Sequence, residues 1–228
     1  MTDKKNNVRN IFETIAGRYD FLNHLLSFGL DFYWRKKALN LSGVNKDTIL
    51  LDVACGTGDF SIAAKKFGVK KIFGADFSYN MLQEFNKKSN WIKGNSFQST
   101  AEALPLRDES VTNIIVAFGI RNFYDISLSL NNFHRVIKPG GMVTILEFCL
   151  PDNRVIKLFY NLYFKYILPL IGGLISRSYK SYKYLPDSVQ EFDEKVNLEK
   201  MLKESGFTKI IRKNITLGTV QIVLGVKE

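Results

Sequence analysis

Short apolar stretches alternate with amphipathic ones through the middle of the chain. Runs of strand length are separated by segments whose apolar residues recur at helical spacing. The predicted strands are 49–53, 71–75, 91–95, 111–118 and 142–148. The predicted helices between them are 60–67, 81–88 and 126–137. This alternation is typical of an α/β fold, with a mostly parallel sheet and helices on both faces.

The two ends of the chain depart from this alternation. Residues 8–40 place apolar side chains at helical spacing and predict N-terminal helices. Residues 198–205 predict a helix closed by Gly206, and 209–215 with 220–227 predict an antiparallel hairpin at a sheet edge. We therefore expect a single domain made of four parts. They are an N-terminal helical cap (1–41), a core (42–150), a helical insert (151–190), and a C-terminal helix and hairpin (191–228).

The insert is the most unusual segment in composition. Residues 153–186 contain no Asp or Glu and carry six basic residues. Apolar side chains recur at helical spacing from 156 to 168, while Lys157, Asn161 and Lys165 form a narrow polar stripe. The pattern predicts an amphipathic helix ended near Pro169. Such a helix suits either an inserted cap or a core helix that covers the sheet, and the sequence leaves both open.

Length and charge narrow the class of protein. The 228 residues are 46% hydrophobic, which fits one globular domain. They carry 32 Lys and Arg against 22 Asp and Glu, a formal net charge of +10. This excess favours an anionic partner, either nucleic acid or acidic lipid, or it serves solubility alone.

The cysteines and the first residues bear on the compartment. Cys55 and Cys149 lack the spacing of metal ligands, and a disulfide framework is implausible, which favours a reducing compartment. The polar residues 1–10 lack the apolar stretch of a signal peptide. No apolar run reaches the roughly 18 residues of a membrane span. We therefore expect a cytoplasmic protein.

Residues 50–59 carry the most chemical information. There the first predicted strand runs into a loop of small residues, and a helix follows. Gly56 and Gly58 allow backbone N–H groups to approach a ligand that a Cβ would displace. Asp76, at the tip of the next strand, is placed to accept hydrogen bonds from ribose hydroxyls. The pattern predicts a nucleoside pocket where two parallel strands end.

The acidic residues around this loop narrow the nucleoside. The third glycine of the dinucleotide fingerprint is replaced by Ser61, and Asp59 at the helix start would repel a pyrophosphate. A positively charged sulfonium is compatible with Asp52 and Asp59. We therefore interpret the D-x-A-x-G-x-G pattern and Asp76 as a site for S-adenosylmethionine. The alternative is a tight turn that binds no ligand.

A second polar group follows the buried strand 111–118. Arg121 and Asn122 lie at its tip, where core packing does not explain them. Arg121 could hold a substrate oxygen or orient a water, and Asn122 could hydrogen-bond a carbonyl or a hydroxyl. The alternative is a structural pair between Arg121 and a loop acid such as Asp125. Residues 98–104 follow the third strand, where Ala101 could hold an adenine.

These segments together resemble the ubiquinone/menaquinone biosynthesis C-methyltransferase family, over nearly the whole chain from about residue 8. The matching segments are 19–23, 26–29, 34–35, 51–59, 76–82, 117–122, 146–148 and 182–188. The donor motif 51–59 is shared by very many methyltransferases. The Tyr-Asp, Arg-Asn and Leu-Glu-Phe segments together are much more specific.

The resemblance implies a Rossmann-like class I methyltransferase that moves a methyl group from S-adenosylmethionine to a ring carbon of a prenylated quinol. The acceptor is expected to be demethylmenaquinol, with the benzoquinol of the ubiquinone pathway as the alternative. The expected donor-binding residues are Asp52, Gly56, Thr57, Gly58, Asp76, Thr100 and Ala101. The expected catalytic residues, which face the substrate, are Tyr19, Arg121 and Asn122. No metal is expected.

Two positions depart from the family pattern. Thr100 stands where the family often has Asp or Asn, which leaves the polar contact to adenine open. Ala117 stands where some members have Ser.

The acceptor bears on partners and location. A prenyl tail resides in the bilayer, and a basic, acid-free, apolar insert suits an anionic membrane surface. We therefore expect a peripheral protein at the inner face of the membrane, with a second copy of the chain as a candidate partner. Nucleic acid is not expected, because the Asn-Pro-Pro-aromatic motif of base methylation is missing from residues 118–122. An RNA methyltransferase and a non-catalytic nucleoside-binding module remain the alternatives.

Overall fold

A computed structural model describes residues 19–167, 169–170 and 179–228, together with Glu13 and Gly17. For residues 179–183 it describes the backbone. The helix predicted over the remaining residues of 8–18, and the part of the insert at 168 and 171–178, lie outside the described residues.

Apart from a helix over Tyr179–Lys195, which the sequence did not predict, the described helices and strands follow the predicted order. The helices are α1 (Tyr19–Leu26), α2 (Leu30–Leu41), α3 (Asp59–Lys66), α4 (Tyr79–Lys88), α5 (Ile126–Val136), α6 (Arg154–Leu162), α7 (Tyr179–Lys195) and α8 (Leu198–Glu204). The strands are β1 (Ile49–Val53), β2 (Lys71–Asp76), β3 (Ser96–Gln98), β4 (Val111–Ala117), β5 (Ile137–Phe148), β6 (Thr208–Ile215) and β7 (Val220–Val226). Side-chain caps start several helices; Ser78, for example, accepts a hydrogen bond from the Met81 N–H at the start of α4.

The seven strands form one sheet in the order β3-β2-β1-β4-β5-β7-β6. The first five are parallel, while β7 pairs antiparallel with both β5 and β6. The predicted α/β fold and its C-terminal hairpin are confirmed, with β6 at the edge. Chain order reverses between β1 and β4, and a ligand crevice is expected at the carboxyl ends of strands at such a point.

Two predicted elements are wrong in their bounds. Residues 91–95 do not form a strand; Asn90–Ile92 is a 3₁₀ turn, and β3 follows at Ser96. The sequence suggested a strand because Trp91 and Ile92 are both apolar. Instead, Ile92 is buried and the Trp91 ring packs edge-on to Phe85. A turn at Gly94, with φ of 81°, then redirects the chain.

The second error is in β5, which begins five residues before the predicted strand at 142. The register between β4 and β5 shifts at Val111/Asn113, so extra residues of β5 bulge around Gly140. Gly141 passes so close to β4 that an added Cβ would lie 2.3 Å from the Thr112 carbonyl oxygen. A Pro-Gly-Gly sequence is typical of a turn, and here it forms an irregularity within a strand.

The described part of the insert packs as a cover at one end of the sheet. α6 continues as a π-helical segment, Tyr163–Ile167. Tyr160 and Phe164 pack inward against Leu22 of α1. The outer face of α6 is also apolar, so this helix has apolar residues on two sides. Among the described helices, none combines the length and the apolar content needed to cross a bilayer.

Candidate functional site

The loop after β1 has an unusual backbone. Ala54, Gly56 and Gly58 all have positive φ, of 54°, 53° and 85°. A Cβ added to Gly56 would meet no atom within 4 Å, because this residue faces a cavity. A Cβ on Gly58 would instead lie 2.1 Å from the ring of Phe85. The two glycines therefore serve different ends: one borders open space, and the other allows close packing against α4.

The difference leads to a stability prediction. Gly58→Ala is expected to lower the free energy of unfolding by about 2–4 kcal/mol, since it adds overpacking to left-handed strain. Phe85 is fully buried and has no room to move away. Gly68→Ala is the matched control, because φ there is 96° and nothing lies within 4 Å of the added Cβ. Denaturant unfolding of both variants measures the difference, and equal losses would contradict the packing explanation.

Asp76 lies at the tip of β2 and borders the same cavity. Its Oδ2 accepts a hydrogen bond from the Gly56 N–H at 2.8 Å, and its Oδ1 accepts one from the Ser78 N–H at 2.8 Å. Burial raises the pKa of this carboxyl to about 6, although the two N–H groups oppose the shift. Each carboxylate oxygen keeps lone-pair capacity for a further donor, such as a ribose hydroxyl.

We call this space the first cavity; it has a volume of about 390 Å³. Of the predicted donor-binding residues, four line it: Gly56, Asp76, Thr100 and Ala101. Apolar surface comes from Phe77 and Met81, beside the Asp76 carboxylate. A carboxylate next to a flat apolar wall, with a glycine open to the cavity, fits a nucleoside in both chemistry and size.

The other three predicted donor-binding residues, Asp52, Thr57 and Gly58, do not line the first cavity. Asp52 is buried, accepts hydrogen bonds from the N–H and Oγ of Ser61 at 3.0 and 2.7 Å, and so fixes the start of α3. Burial raises its pKa to about 7. The Thr57 hydroxyl donates to Asp20 of α1. These contacts shape the loop, and direct donor contacts from these residues stay a prediction.

Ion pairs join this loop to the N-terminal helices. Lys88 of α4 lies 2.7 Å from Asp20 and 2.6 Å from Asp59. Asp59, which we expected to repel a pyrophosphate, is thus neutralised by a cation, so its charge discriminates less than the sequence suggested. The oxygens of Asp59 and Asp31 also lie near His24, within 4.8 Å of one another. Arg35 pairs with Asp31, so Asp59 and Asp31 both already have cationic partners.

A second cavity, of about 270 Å³, adjoins the first. Tyr19 and Phe118 line both cavities and therefore separate them. The walls of the second cavity are mainly aromatic. They include Trp34, Phe148, Tyr160, Tyr163 and Phe164. This aromatic space, closed on one side by the insert, is suited to an apolar ring with an apolar substituent.

Arg121 lines the second cavity, close to the boundary with the first. Its Nη1 donates to the Phe118 carbonyl oxygen at 2.6 Å and to Glu147 Oε1 at 2.7 Å. Its Nε donates to Ser188 Oγ at 3.4 Å. Within the described part of the chain, Nη2 makes no hydrogen bond and remains for a ligand.

The acid that pairs with Arg121 is not the expected one. The sequence offered Asp125, but Asp125 caps α5 by accepting from the Leu128 N–H. Arg121 pairs instead with Glu147, a fully buried residue of β5. The signal in the sequence was an acid inside an apolar strand, in the Leu-Glu-Phe segment. A buried carboxylate of this kind needs a cationic partner.

Asn122 lines the first cavity, and its Oδ1 accepts a hydrogen bond from the Tyr184 hydroxyl at 2.9 Å. Tyr184, from α7, lines the second cavity. The structure therefore brings Tyr19, Arg121 and Asn122 together at the boundary of the two cavities. Tyr184 and Glu147 join them there, and sequence reasoning had assigned neither a role.

Comparison with known proteins agrees with this geometry. The sequence profile of the ubiE/COQ5 methyltransferase family matches residues 1–227. A demethylmenaquinone methyltransferase of Chlorobaculum parvum is 42% identical over 212 residues, which cover 91% of this chain and 87% of the relative. A ubiquinone/menaquinone biosynthesis C-methyltransferase of Geotalea daltonii is 40% identical over 233 residues, which cover 100% and 99% of the two chains.

One solved structure illustrates the likeness in fold. An S-adenosyl-L-methionine-dependent methyltransferase of Methanococcus maripaludis superposes with a TM-score of 0.67. It is 18% identical, and the match covers 95% of this chain and 94% of that one. At this identity the likeness shows the fold alone.

Proposed function

Because the chain belongs to the ubiE/COQ5 methyltransferase family, we propose that it methylates a ring carbon of a prenylated quinol, converting demethylmenaquinol to menaquinol. The protein is an S-adenosylmethionine-dependent methyltransferase. The observation that carries the proposal is the pair of adjoining cavities. One has a strand-tip carboxylate for a nucleoside, the other is aromatic, and Tyr19 and Phe118 separate them.

We assign donor binding to the first cavity. Asp76 would accept the ribose hydroxyls, since it already lies on the cavity wall with two backbone N–H groups fixing its orientation. Thr100 and Ala101 border the same space at the end of β3 and would contact the adenine. Asp52, Thr57 and Gly58 would hold the loop in shape, and their direct contacts to the donor remain part of the proposal. When bound, S-adenosylmethionine supplies an electrophilic methyl group on a positively charged sulfur.

We assign acceptor activation to the boundary of the cavities. A quinol ring carbon becomes nucleophilic when a ring hydroxyl loses its proton, so the site must stabilise a phenolate. Arg121 Nη2 is placed for this, with its guanidinium held by Glu147 and by the Phe118 carbonyl. Arg121 itself does not accept the proton, because a guanidinium stays protonated in proteins; burial opposes the charge, but neighbouring groups, led by the Glu147 carboxylate, outweigh it and raise the pKa of Arg121. We propose that a water held by Arg121 and Asn122 accepts the proton. Tyr19 would contact the quinol ring.

The test of this function is a comparison of acceptors. The purified protein is incubated with S-adenosylmethionine and prenylated demethylnaphthoquinol, demethylbenzoquinol or total RNA. We expect one added ring methyl on the naphthoquinol, with a higher kcat/KM than on the benzoquinol. Faster reaction of the benzoquinol would move the protein to the ubiquinone pathway. Salt-sensitive methylation of RNA alone, or donor binding with no methylation, would support the alternatives.

Peripheral binding to an anionic membrane at its inner face is a further part of the proposal. Exposed apolar side chains on α6 and the π-helical segment lie beside the second cavity. They are Val155, Leu158, Phe159, Leu162 and Tyr166. Phe28, in the turn between α1 and α2, is exposed and lines this cavity, and its ring centroid lies 6.0 Å from that of Tyr163. A tail leaving the cavity would meet this apolar surface.

The surface leads to a binding prediction. Leu158→Ser/Phe159→Ser is expected to reduce flotation with anionic-lipid vesicles at least about tenfold, since it removes roughly 3–6 kcal/mol of apolar transfer free energy. Ile211→Ser, an exposed apolar residue on the edge strand β6, is the control. Membrane binding would be contradicted if flotation changed neither with the anionic lipid content nor with the double substitution. A homodimer and the absence of nucleic acid and of a metal remain proposals.

A further inference from the structure

Helix α7 contacts the two residues that we place at the site of methyl transfer. Tyr184 and Ser188 are four positions apart and therefore share a face of this helix. The Tyr184 hydroxyl donates to Asn122 Oδ1 at 2.9 Å. Ser188 Oγ accepts from Arg121 Nε at 3.4 Å and donates to the Leu185 carbonyl at 2.8 Å. One turn of α7 thus holds the 3₁₀ turn Ile120–Asn122 in place.

The contact to Asn122 determines how its carboxamide is oriented. A carboxamide presents a hydrogen-bond acceptor on one side and two donors on the other. Tyr184 occupies the acceptor side, and among the described residues Nδ2 has no hydrogen-bond partner. The Asn122 side chain therefore keeps both Nδ2–H donors, and one lone pair of Oδ1, for whatever lies beside it.

The orientation of the Asn122 carboxamide matters because of where the Tyr184–Asn122 pair lies. Asn122 lines the first cavity and Tyr184 lines the second, so their hydrogen bond spans the boundary where donor and acceptor would meet. Negative charge develops on an acceptor oxygen when the quinol loses its proton. An N–H donor beside that oxygen stabilises the charge, whereas a flipped amide would turn Oδ1 toward it and repel it.

We propose that Tyr184 is a positioning residue, which fixes the Asn122 carboxamide so that Nδ2 donates to the ring oxygen of the acceptor. The inference rests on the proposed function, because the role it assigns belongs to quinol methylation. Tyr184 itself has no bond to make or break in the reaction. Its hydroxyl acts through Asn122.

The kinetic test is Tyr184→Phe, alone and combined with Asn122→Ala. The single substitution is expected to lower kcat about tenfold, the effect of losing one oriented hydrogen bond, while donor affinity stays unchanged. In the Asn122→Ala background it should have no further effect, because the group it positions is gone. Tyr79→Phe, which removes a hydroxyl from an exposed tyrosine, is the control. Full additivity of the two losses, or an unchanged kcat, would overturn the proposal.

A second measurement does not need turnover. The side-chain ¹H–¹⁵N signals of Asn122, assigned by their loss in Asn122→Asp, should shift and broaden in Tyr184→Phe and stay unchanged in Tyr79→Phe. If the wild-type protein methylates no quinol but this coupling is present, the proposed function fails and the positioning contact stands. If the protein is active and Tyr184→Phe leaves the signals unchanged, the positioning role is wrong.

Discussion

Arg121→Lys is expected to lower kcat for quinol methylation about 100- to 1,000-fold, the range associated with losing one donor to a developing oxyanion. A lysine at this position has a single ammonium group, and buried Glu147 would hold it. The arginine meets Glu147 and the Phe118 carbonyl through Nη1 and keeps Nη2 for the substrate. The affinity for S-adenosylmethionine should stay within a few-fold of the wild type.

Lysine is a better test than alanine here because of Glu147. Arg121→Ala would leave a fully buried carboxylate unpaired, at a cost of about 3–5 kcal/mol in stability, and activity would fall through unfolding. The measurements are kcat, donor affinity and the thermal midpoint, with Arg212→Lys on the exposed strand β6 as the control. Wild-type turnover by a folded Arg121→Lys protein would show that the guanidinium does not stabilise the acceptor anion.

Asp76→Asn is expected to weaken S-adenosylmethionine binding about 100-fold, since hydrogen bonds to a charged acceptor contribute about 1.5–3 kcal/mol each. The asparagine also turns an N–H₂ group toward either the Gly56 N–H or the Ser78 N–H, which now both donate to Asp76. Calorimetric titration with the donor measures the loss. Binding at wild-type strength would place the ribose elsewhere.

The same residue gives donor binding a pH dependence. Burial raises the pKa of Asp76 from 3.8 to about 6 in the free protein. Below that pH the group must lose a proton before it can accept from a ribose, so the dissociation constant should rise as the pH falls through 6. Burial also raises the pKa of Asp52, to about 7, but this carboxyl faces Ser61 and not the first cavity. Asp76→Asn should abolish the step near pH 6; its persistence would assign the step to Asp52.

The raised pKa of Asp76 also makes the free energy of unfolding depend on pH. The folded chain holds the Asp76 proton more tightly than the unfolded chain does. The contribution of this group to the free energy of unfolding is therefore present at low pH and decreases as the pH rises from 3.8 to about 6. This direction is opposite to that of a carboxylate paired with a cation on the surface. Unfolding of Asp76→Asn should lack this decrease.

Local periodicity was sufficient to predict most of the regular elements of the fold, although not α7. β1, β2 and β4 are apolar runs with clear ends, and Ser78 and Gly206 mark helix boundaries by local chemistry. The errors fall where a local pattern has two structural solutions. Pro139-Gly140-Gly141 suits a turn between elements as well as a bulge inside β5, and only the approach of β4 decides between them.

In the candidate site, too, only the features that are local in sequence were predicted. Gly56 and Asp76 were predicted because strand ends and glycine spacing are local features. The partners of Arg121 and Asn122 were not, because Glu147 lies 26 residues away and Tyr184 lies 62 residues away. The hydrogen bond from Thr57 to Asp20 spans 37 residues and gives an expected donor-binding residue a partner in α1. Such pairs arise from tertiary packing, which a single sequence does not display.

The most direct measurement of the central claim follows the methyl group itself. The protein is incubated with S-adenosylmethionine carrying a ¹³C-labelled methyl group and with reduced prenylated demethylnaphthoquinol, and the product is examined by ¹³C NMR. We expect a single new signal of a methyl group bonded to an aromatic ring carbon, which forms about 100- to 1,000-fold more slowly when Arg121→Lys replaces the wild type. A label on a quinol oxygen, or no transfer to the quinol by a protein that binds the donor, would contradict C-methylation at this site.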